Sequence, residues 1–195
     1  MNSLPMTRED AVNLLKSMPQ TDSDMNHYLE TESIMRILAE KFNEDAEYWG
    51  MVGLLHDVDW SSTRDNPKEH CIKAADILKT RGFDNVFIEN VQSHGYGYDG
   101  IPAFKNRKRN SKIQYALVAA ETVTGVIYAY ALMRGKNISD MEVKGLKKKF
   151  IDKSFAANCS RELVREIETT GLSLDEFFAL SIMAVKKIKD QIGLK

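Results

Sequence analysis

The residues most able to do chemistry in this chain are its four histidines, all in the first half of the sequence. They are His27, His56, His70 and His94. Asp57 follows His56 directly, and an acidic residue, Glu121, comes later. Borderline-soft divalent metals favour neutral imidazole and carboxylate oxygen as ligands. The sequence therefore predicts one or two divalent transition metal ions, of the kind Fe, Mn, Zn, Co or Ni.

The first predicted metal position draws its ligands from three segments of the chain. His56 and Asp57 end the apolar run 52–55, so an imidazole and a carboxylate emerge together where a buried helix ends. A bound ion offsets the cost of burying that carboxylate. His27 lies on the preceding helix and Glu121 on a later one, and helical bundles build metal sites from facing helices in this way. Water in the remaining coordination positions is the prospective nucleophile.

His70 and His94 predict a second metal position, bridged to the first by Asp57. Two ions about 3.5 to 4 Å apart can stabilise the attacking and the leaving oxygen of a phosphoryl displacement. In the alternative interpretation His70 points away, Glu69 acts as an outer acid, and a single ion remains. Asp59 is either a carboxylate that orients a histidine or water, or a cap after the helix.

A basic segment lies between His94 and Glu121, with five basic residues in positions 105–112. Arg107 and Arg109 are the candidates for holding phosphate, because a guanidinium can make two parallel hydrogen bonds to it. The alternative is a solvated loop with no ligand.

The two cysteines, Cys71 and Cys159, are far apart and form no CxxC pattern, so they indicate neither a disulfide framework nor a zinc knuckle. Buried free thiols are the prediction. Cys71 adjoins His70, but neighbouring side chains on a helix diverge by about 100°, which disfavours a shared ion.

Helical periodicity dominates the elements that must position these residues, and the chain is predicted to be all-α. Thr7, Asn43, Ser160 and Ser173 are candidate helix caps. The predicted helices are one that begins after Thr7 and ends before Pro19, one around 34–42, and others over 44–56, 67–79, 86–92, 110–133, 139–150, 160–169 and 173–192.

The bulk properties predict one helical domain over residues 1–195, with a metal-binding core at about 20–135 and C-terminal helices 139–192 packed on it. The net charge of -1 provides no general attraction for a nucleic acid polymer or a membrane. We see neither an export signal at the N-terminus nor an apolar run of roughly 18 residues, so a cytoplasmic location is expected. Oligomeric state stays open.

The order of His27, His56-Asp57 and a late acidic residue resembles the HD-domain superfamily of metal-dependent phosphohydrolases. The stretches 54–60, 124–125 and 149–156 are similar to a bacterial group of HD proteins, and the resemblance covers roughly residues 20 to 170. With His70 and His94 added, the chain looks like the dinuclear branch. The family usually has Asp at the late position, where this chain has Glu121.

The resemblance implies cleavage of a phosphate ester of a small metabolite or nucleotide by metal-activated water. Together with the basic segment it predicts Asp57, Arg107 and Arg109 as the catalytic residues. Two alternatives stay open. A di-iron oxygenase uses the same kind of histidine and carboxylate set, and a non-catalytic regulator would bind metal or nucleotide without turnover.

Overall fold

A computed structural model describes residues 4–195, and these residues form helices and turns with no strand among them. The predicted all-α class is confirmed. The first three residues of the predicted domain and of the segment inspected for an export signal lie outside this range. The helices are α1 (Arg8–Lys16), α2 (Asp22–Phe42), α3 (Ala46–Leu55), α4 (Trp60–Thr63), α5 (Ile72–Thr80), α6 (Asn85–Gln92), α7 (Lys112–Met133), α8 (Val143–Ile151), α9 (Arg161–Arg165) and α10 (Leu174–Lys187).

Short polar side chains cap several of the helices. Thr7, Ser160 and Ser173 accept hydrogen bonds from the first turns of α1, α9 and α10, as predicted. The predicted cap at Asn43 is wrong. Asn43 ends α2 in the left-handed conformation (φ 57°), and the Asp45 side chain caps α3.

The helix predicted from Pro67 to Lys79 is interrupted in its first third. Pro67–Glu69 form a short 3-10 turn, and α5 begins only at Ile72. His70 is extended in ψ (143°), and Cys71 has a φ of 64°. His70 and Cys71 therefore lie in a sharp break between two helical segments, which helical periodicity does not reveal.

The centre of the fold is α2, which packs against α3, α7 and α10. By length and composition α7 could cross a membrane, although Glu121 and polar side chains interrupt its apolar residues. Most of α7 is nevertheless buried inside the protein, as in the core helix of a globular fold. Residues of α2, α3 and α7 are thereby held side by side in the interior.

The C-terminal helices differ from their predicted bounds. α8 begins at Val143 rather than Ser139, and α9 passes into the 3-10 turn Glu166–Thr170. α10 ends at Lys187, before the predicted Ile192. These helices share the main core, which continues to Leu194. A separate apolar cluster lies beside the break before α5 and consists of Cys71, Tyr96, Ile101 and Phe104.

Candidate metal centre

The carboxylate of Asp57 lies between two pairs of histidines. Its Oδ2 is 3.5 Å from His56 Nε2 and 3.8 Å from His27 Nε2. Its Oδ1 is 3.3 Å from His70 Nε2 and 3.2 Å from His94 Nε2. Each oxygen therefore faces one pair, which is the arrangement of a carboxylate that bridges two metal positions.

Main-chain carbonyls orient two of the four imidazole rings. His56, at the C-terminal end of α3, donates from Nδ1 to the carbonyl of Gly53 at 2.8 Å. His94, in the 3-10 turn after α6, donates from Nδ1 to the carbonyl of Val91 at 2.7 Å. With Nδ1 donating to a carbonyl, each ring directs Nε2 toward Asp57.

Side chains orient the other two rings. His27 Nδ1 lies 2.9 Å from the hydroxyl oxygen of Thr124. That hydroxyl donates to the carbonyl of Glu121, so its oxygen accepts from the imidazole. His70 Nδ1 lies 2.9 Å from Asp59 Oδ1. Glu69, the alternative acid partner, pairs with Lys73 instead at 2.5 Å.

The four Nε2 atoms meet as two close pairs. His27 and His56 approach to 3.1 Å, and His70 and His94 also approach to 3.1 Å. Two acceptor nitrogens at this distance repel unless a cation or a proton lies between them. Donor atoms on a tetrahedral ion with 2.0 Å bonds are about 3.3 Å apart. The donor set therefore fits a divalent ion at each pair.

Charges within the cluster shift the protonation of its members in opposite directions. Burial lowers the pKa of His56 to about 3, although Asp57 opposes the shift, so this imidazole is neutral at pH 7. Burial works against protonation of His70 and His94 too, but their acidic neighbours outweigh it and raise both pKa values. Burial opposes ionisation of Asp57, yet the surrounding histidines lower its pKa. Without metal, Asp57 Oδ1 is therefore the acceptor for the protonated Nε2 atoms of His70 and His94.

A cavity of about 720 Å³ lies beside the centre. His27, His70, His94 and Glu121 line one part of it, and the loop after His94 and the start of α9 line the rest. A smaller cavity of about 340 Å³ lies next to Asp57 and shares His27 with the first. The histidine pairs are thus reachable by a small molecule.

Comparison with known proteins agrees with this geometry. A family model of the HD domain matches residues 25–131, which is more than half of the chain. The chain belongs to the HD-domain family. HD domains bind divalent metals, and most of the family are metal-dependent hydrolases.

A relative of this HD-domain protein is ribonuclease Y of Sulfurovum sp. (strain NBC37-1), which is 22% identical over 174 residues. The match covers 85% of this chain and 32% of ribonuclease Y, so the chain spans about a third of the length of that relative. No solved structure matches the chain significantly.

Glu121 lines the large cavity of the HD domain but stands apart from the tight ligand group of His27, His56 and Asp57. One of its carboxylate oxygens accepts from the hydroxyl of Thr122 at 2.6 Å. Burial raises the pKa of Glu121, although the nearby His94 and His27 oppose the shift. Its role as a fourth ligand of the first ion stays a prediction.

The two arginines predicted to hold phosphate are both engaged by the protein. Arg109 makes a two-pronged ion pair with Glu166 and also donates to the carbonyls of Ser93 and Tyr96. Arg107 donates to Glu89 and lies over the ring of Tyr96, 4.5 Å from its centre. In this structure Arg109 ties the loop after His94 to the C-terminal helices, and Arg107 holds the outer surface of that loop.

Two residues of the site, Thr124 and Cys71, are not identified as site residues by the sequence analysis. Thr124 supports His27, and Cys71 Sγ lies 3.4 Å from His94 Nε2. The sequence signal for Cys71 is its position next to His70, but in the predicted continuous helix the two side chains would point in different directions. For Thr124 the signal was its spacing of three residues after Glu121, on the same face of α7.

Proposed function

We propose that this HD-domain protein is a metal-dependent phosphohydrolase that cleaves a phosphate ester of a small metabolite or nucleotide. The observation that carries the proposal is the position of Asp57, with one carboxylate oxygen toward each of two histidine pairs beside a cavity. A bridging carboxylate holds two cations close enough to act on one phosphoryl group.

The residues of the chain would prepare the centre for this chemistry. When bound, two divalent ions neutralise charge on phosphoryl oxygens and make water a stronger nucleophile at neutral pH. Asp57 supplies one negative charge shared between both positions. The Nδ1 partners of the rings, such as Gly53 and Asp59, keep every Nε2 directed inward before any ion arrives.

The lining of the cavity favours a substrate with few phosphate groups. Arg109 is the one arginine or lysine among the described lining residues, and Glu166 already neutralises it. Glu121 adds a further carboxyl group to the same wall. The negative charge of the substrate phosphate would thus be neutralised by the metal ions alone. Two ions are sufficient for a single phosphate group, but further phosphates would find no free basic side chain among the described lining residues. The volume is within the range of small-molecule sites, roughly 300 to 1,000 Å³.

Two other activities are competing outcomes. The similarity to ribonuclease Y raises cleavage of an RNA phosphodiester, although it covers only a third of that relative. A di-iron oxygenase would use the same histidines and Asp57, and it would require iron and consume oxygen.

The test begins with chelator-treated protein reloaded separately with manganese, zinc, iron, cobalt, nickel or magnesium. Phosphate release is measured on nucleoside mono-, di- and triphosphates and sugar phosphates, and cleavage is followed on cyclic dinucleotides and short RNA. We expect activity that requires a transition metal and is highest on monophosphates. Asp57→Asn should abolish it, whereas Asp76→Asn, at an exposed position, should not.

If RNA were the one substrate cleaved, the protein would be a nuclease and the proposal would be wrong. Iron-dependent oxygen consumption without any phosphate release would transfer it to an oxygenase. Metal binding without turnover of any substrate would support the regulator.

A further inference from the structure

The second histidine pair has a third potential donor beside it, the thiol of Cys71. The ligand atoms of His70, Cys71 and His94 all lie within 4.8 Å of one another. Cys71 is completely buried, and its Sγ is 3.4 Å from His94 Nε2. We infer that Cys71 is a third side-chain ligand of this metal position and that its thiolate makes the position selective for zinc.

The break before α5 explains how two neighbouring residues can reach one ion. Adjacent side chains on a helix point in different directions, but His70 and Cys71 do not lie on a helix. The extended ψ of His70 followed by the positive φ of Cys71 reverses the chain, so the imidazole and the thiol approach the same space. Gln92 supports this turn, because its amide donates to the carbonyl of Cys71 at 3.0 Å.

The space occupied by the Cys71 sulfur depends on the glycine at position 95. A side-chain carbon added at Gly95 would lie 2.9 Å from Cys71 Sγ, closer than such atoms normally approach. Glycine at this position, immediately after His94, therefore leaves the room that the sulfur occupies. Tyr96, Ile101 and Phe104 pack with Cys71 into one apolar cluster that shields the sulfur from solvent.

The donor spacing agrees with a tetrahedral zinc ion. With bonds of 2.3 Å to sulfur and 2.0 Å to nitrogen, the two donors are about 3.5 Å apart, close to the 3.4 Å between Sγ and His94 Nε2. Asp57 Oδ1 lies 3.3 and 3.2 Å from the two imidazole nitrogens of this set. The first position, at His27 and His56, has no cysteine in its ligand group within the part of the chain that the structure describes.

The two positions would therefore differ in chemical softness, because thiolate favours zinc over magnesium or manganese. On binding, a sulfur to metal bond forms, the S–H bond breaks, and the proton goes to the solvent. This inference rests on the metal centre of the proposed function but concerns the identity of a ligand, so it is tested by spectroscopy rather than by activity.

The first experiment is a cobalt titration of metal-free protein followed in the near ultraviolet, where thiolate to cobalt charge transfer absorbs. We expect the band in wild-type protein and in Cys159→Ser, which removes the other thiol. It should be absent in Cys71→Ser and weakened in Gly95→Ala, which crowds the sulfur without removing it. Zinc affinity of one site should fall at least tenfold in Cys71→Ser.

X-ray absorption at the zinc edge of wild-type protein gives a second measurement that needs no variant. We expect a sulfur neighbour at about 2.3 Å. Bound zinc with only nitrogen and oxygen neighbours would overturn the inference, as would a charge-transfer band that disappears in Cys159→Ser instead. A sulfur ligand with a single bound ion would keep Cys71 as a ligand and overturn the two-ion proposal. Protein that binds no metal would overturn both.

Discussion

The carboxylate of Asp59 connects His70 to the first turn of α5. Its Oδ1 lies 2.9 Å from His70 Nδ1, and its Oδ2 accepts from the backbone amide of Ala74 at 3.1 Å. Asp59 is fully buried, so both oxygens depend on these partners. Asp59 therefore has the histidine-orienting role considered from sequence, and in place of a cap after α3 it stabilises the start of α5.

Asp59→Asn should weaken one of the two metal positions. The amide oxygen of the variant can still accept from His70. Its NH₂ group then faces the backbone N–H of Ala74, and because both groups are donors this hydrogen bond is lost. Loss of an outer partner of this kind typically costs about 10 to 100-fold in metal affinity. Calorimetric zinc titration should show this loss at the position next to His70, with the other unchanged. Equal weakening of both positions would contradict the separate support of the two pairs.

Thr124→Val is the corresponding change at the first position. The variant leaves His27 Nδ1 without its hydroxyl partner, so the ring loses its orientation. We expect a loss of about 10 to 100-fold at the first position only, measured by the same titration. Thr170→Val is the matched control, because it also removes a hydroxyl that donates to a main-chain carbonyl, that of Ile167, but does not line either cavity. An unchanged affinity in Thr124→Val would show that packing alone orients His27.

Arg109 and Arg107 should differ sharply in their contribution to stability. The Arg109 side chain is only 6% exposed, and its partner Glu166 would keep a charge without its counterion. We expect Arg109→Met to lower the free energy of unfolding by about 3 to 5 kcal/mol. Arg107→Met, at an exposed ion pair, should cost about 1 kcal/mol or less. Urea unfolding of metal-free protein measures both, and similar losses would contradict the assignment of Arg109 to the fold.

Glu30 should make stability depend on pH. It is 2% exposed, one of its oxygens has no partner, and burial raises its pKa well above the usual value. A raised folded-state pKa means that the unfolded chain ionises first, so stability falls as pH rises above the unfolded pKa.

Glu30→Gln removes this effect because it cannot ionise. In metal-free protein we expect the variant to be more stable than wild type at pH 7, because wild-type protein must either keep Glu30 protonated or bury its charge. The advantage should shrink toward zero near pH 4. Glu40→Gln, at an exposed position on the same helix, should show neither change. A stability gain that does not vary with pH would indicate a packing effect instead.

Local sequence was sufficient for the helical class and for the ligand types. Helical periodicity and caps such as Ser173 depend on residues a few positions apart, so they can be read without a fold. The predicted continuous helix from Pro67 was wrong because its break depends on a contact with a distant segment. Its apolar spacing and its proline are compatible with a continuous helix, and only the positive φ of Cys71, stabilised by Gln92 from another segment, ends it.

The sequence by itself determined which residues can ligate a metal, because imidazole, carboxylate and thiol chemistry belongs to the residue type. Tertiary structure decided how they are grouped: His27 with His56, His70 with His94, and Asp57 between them. It also decided that Arg109 is bound by Glu166, 57 positions away. Distances of 3 Å between donor atoms depend on how distant helices pack and which way each ring turns, and neither is encoded in the local spacing of residues.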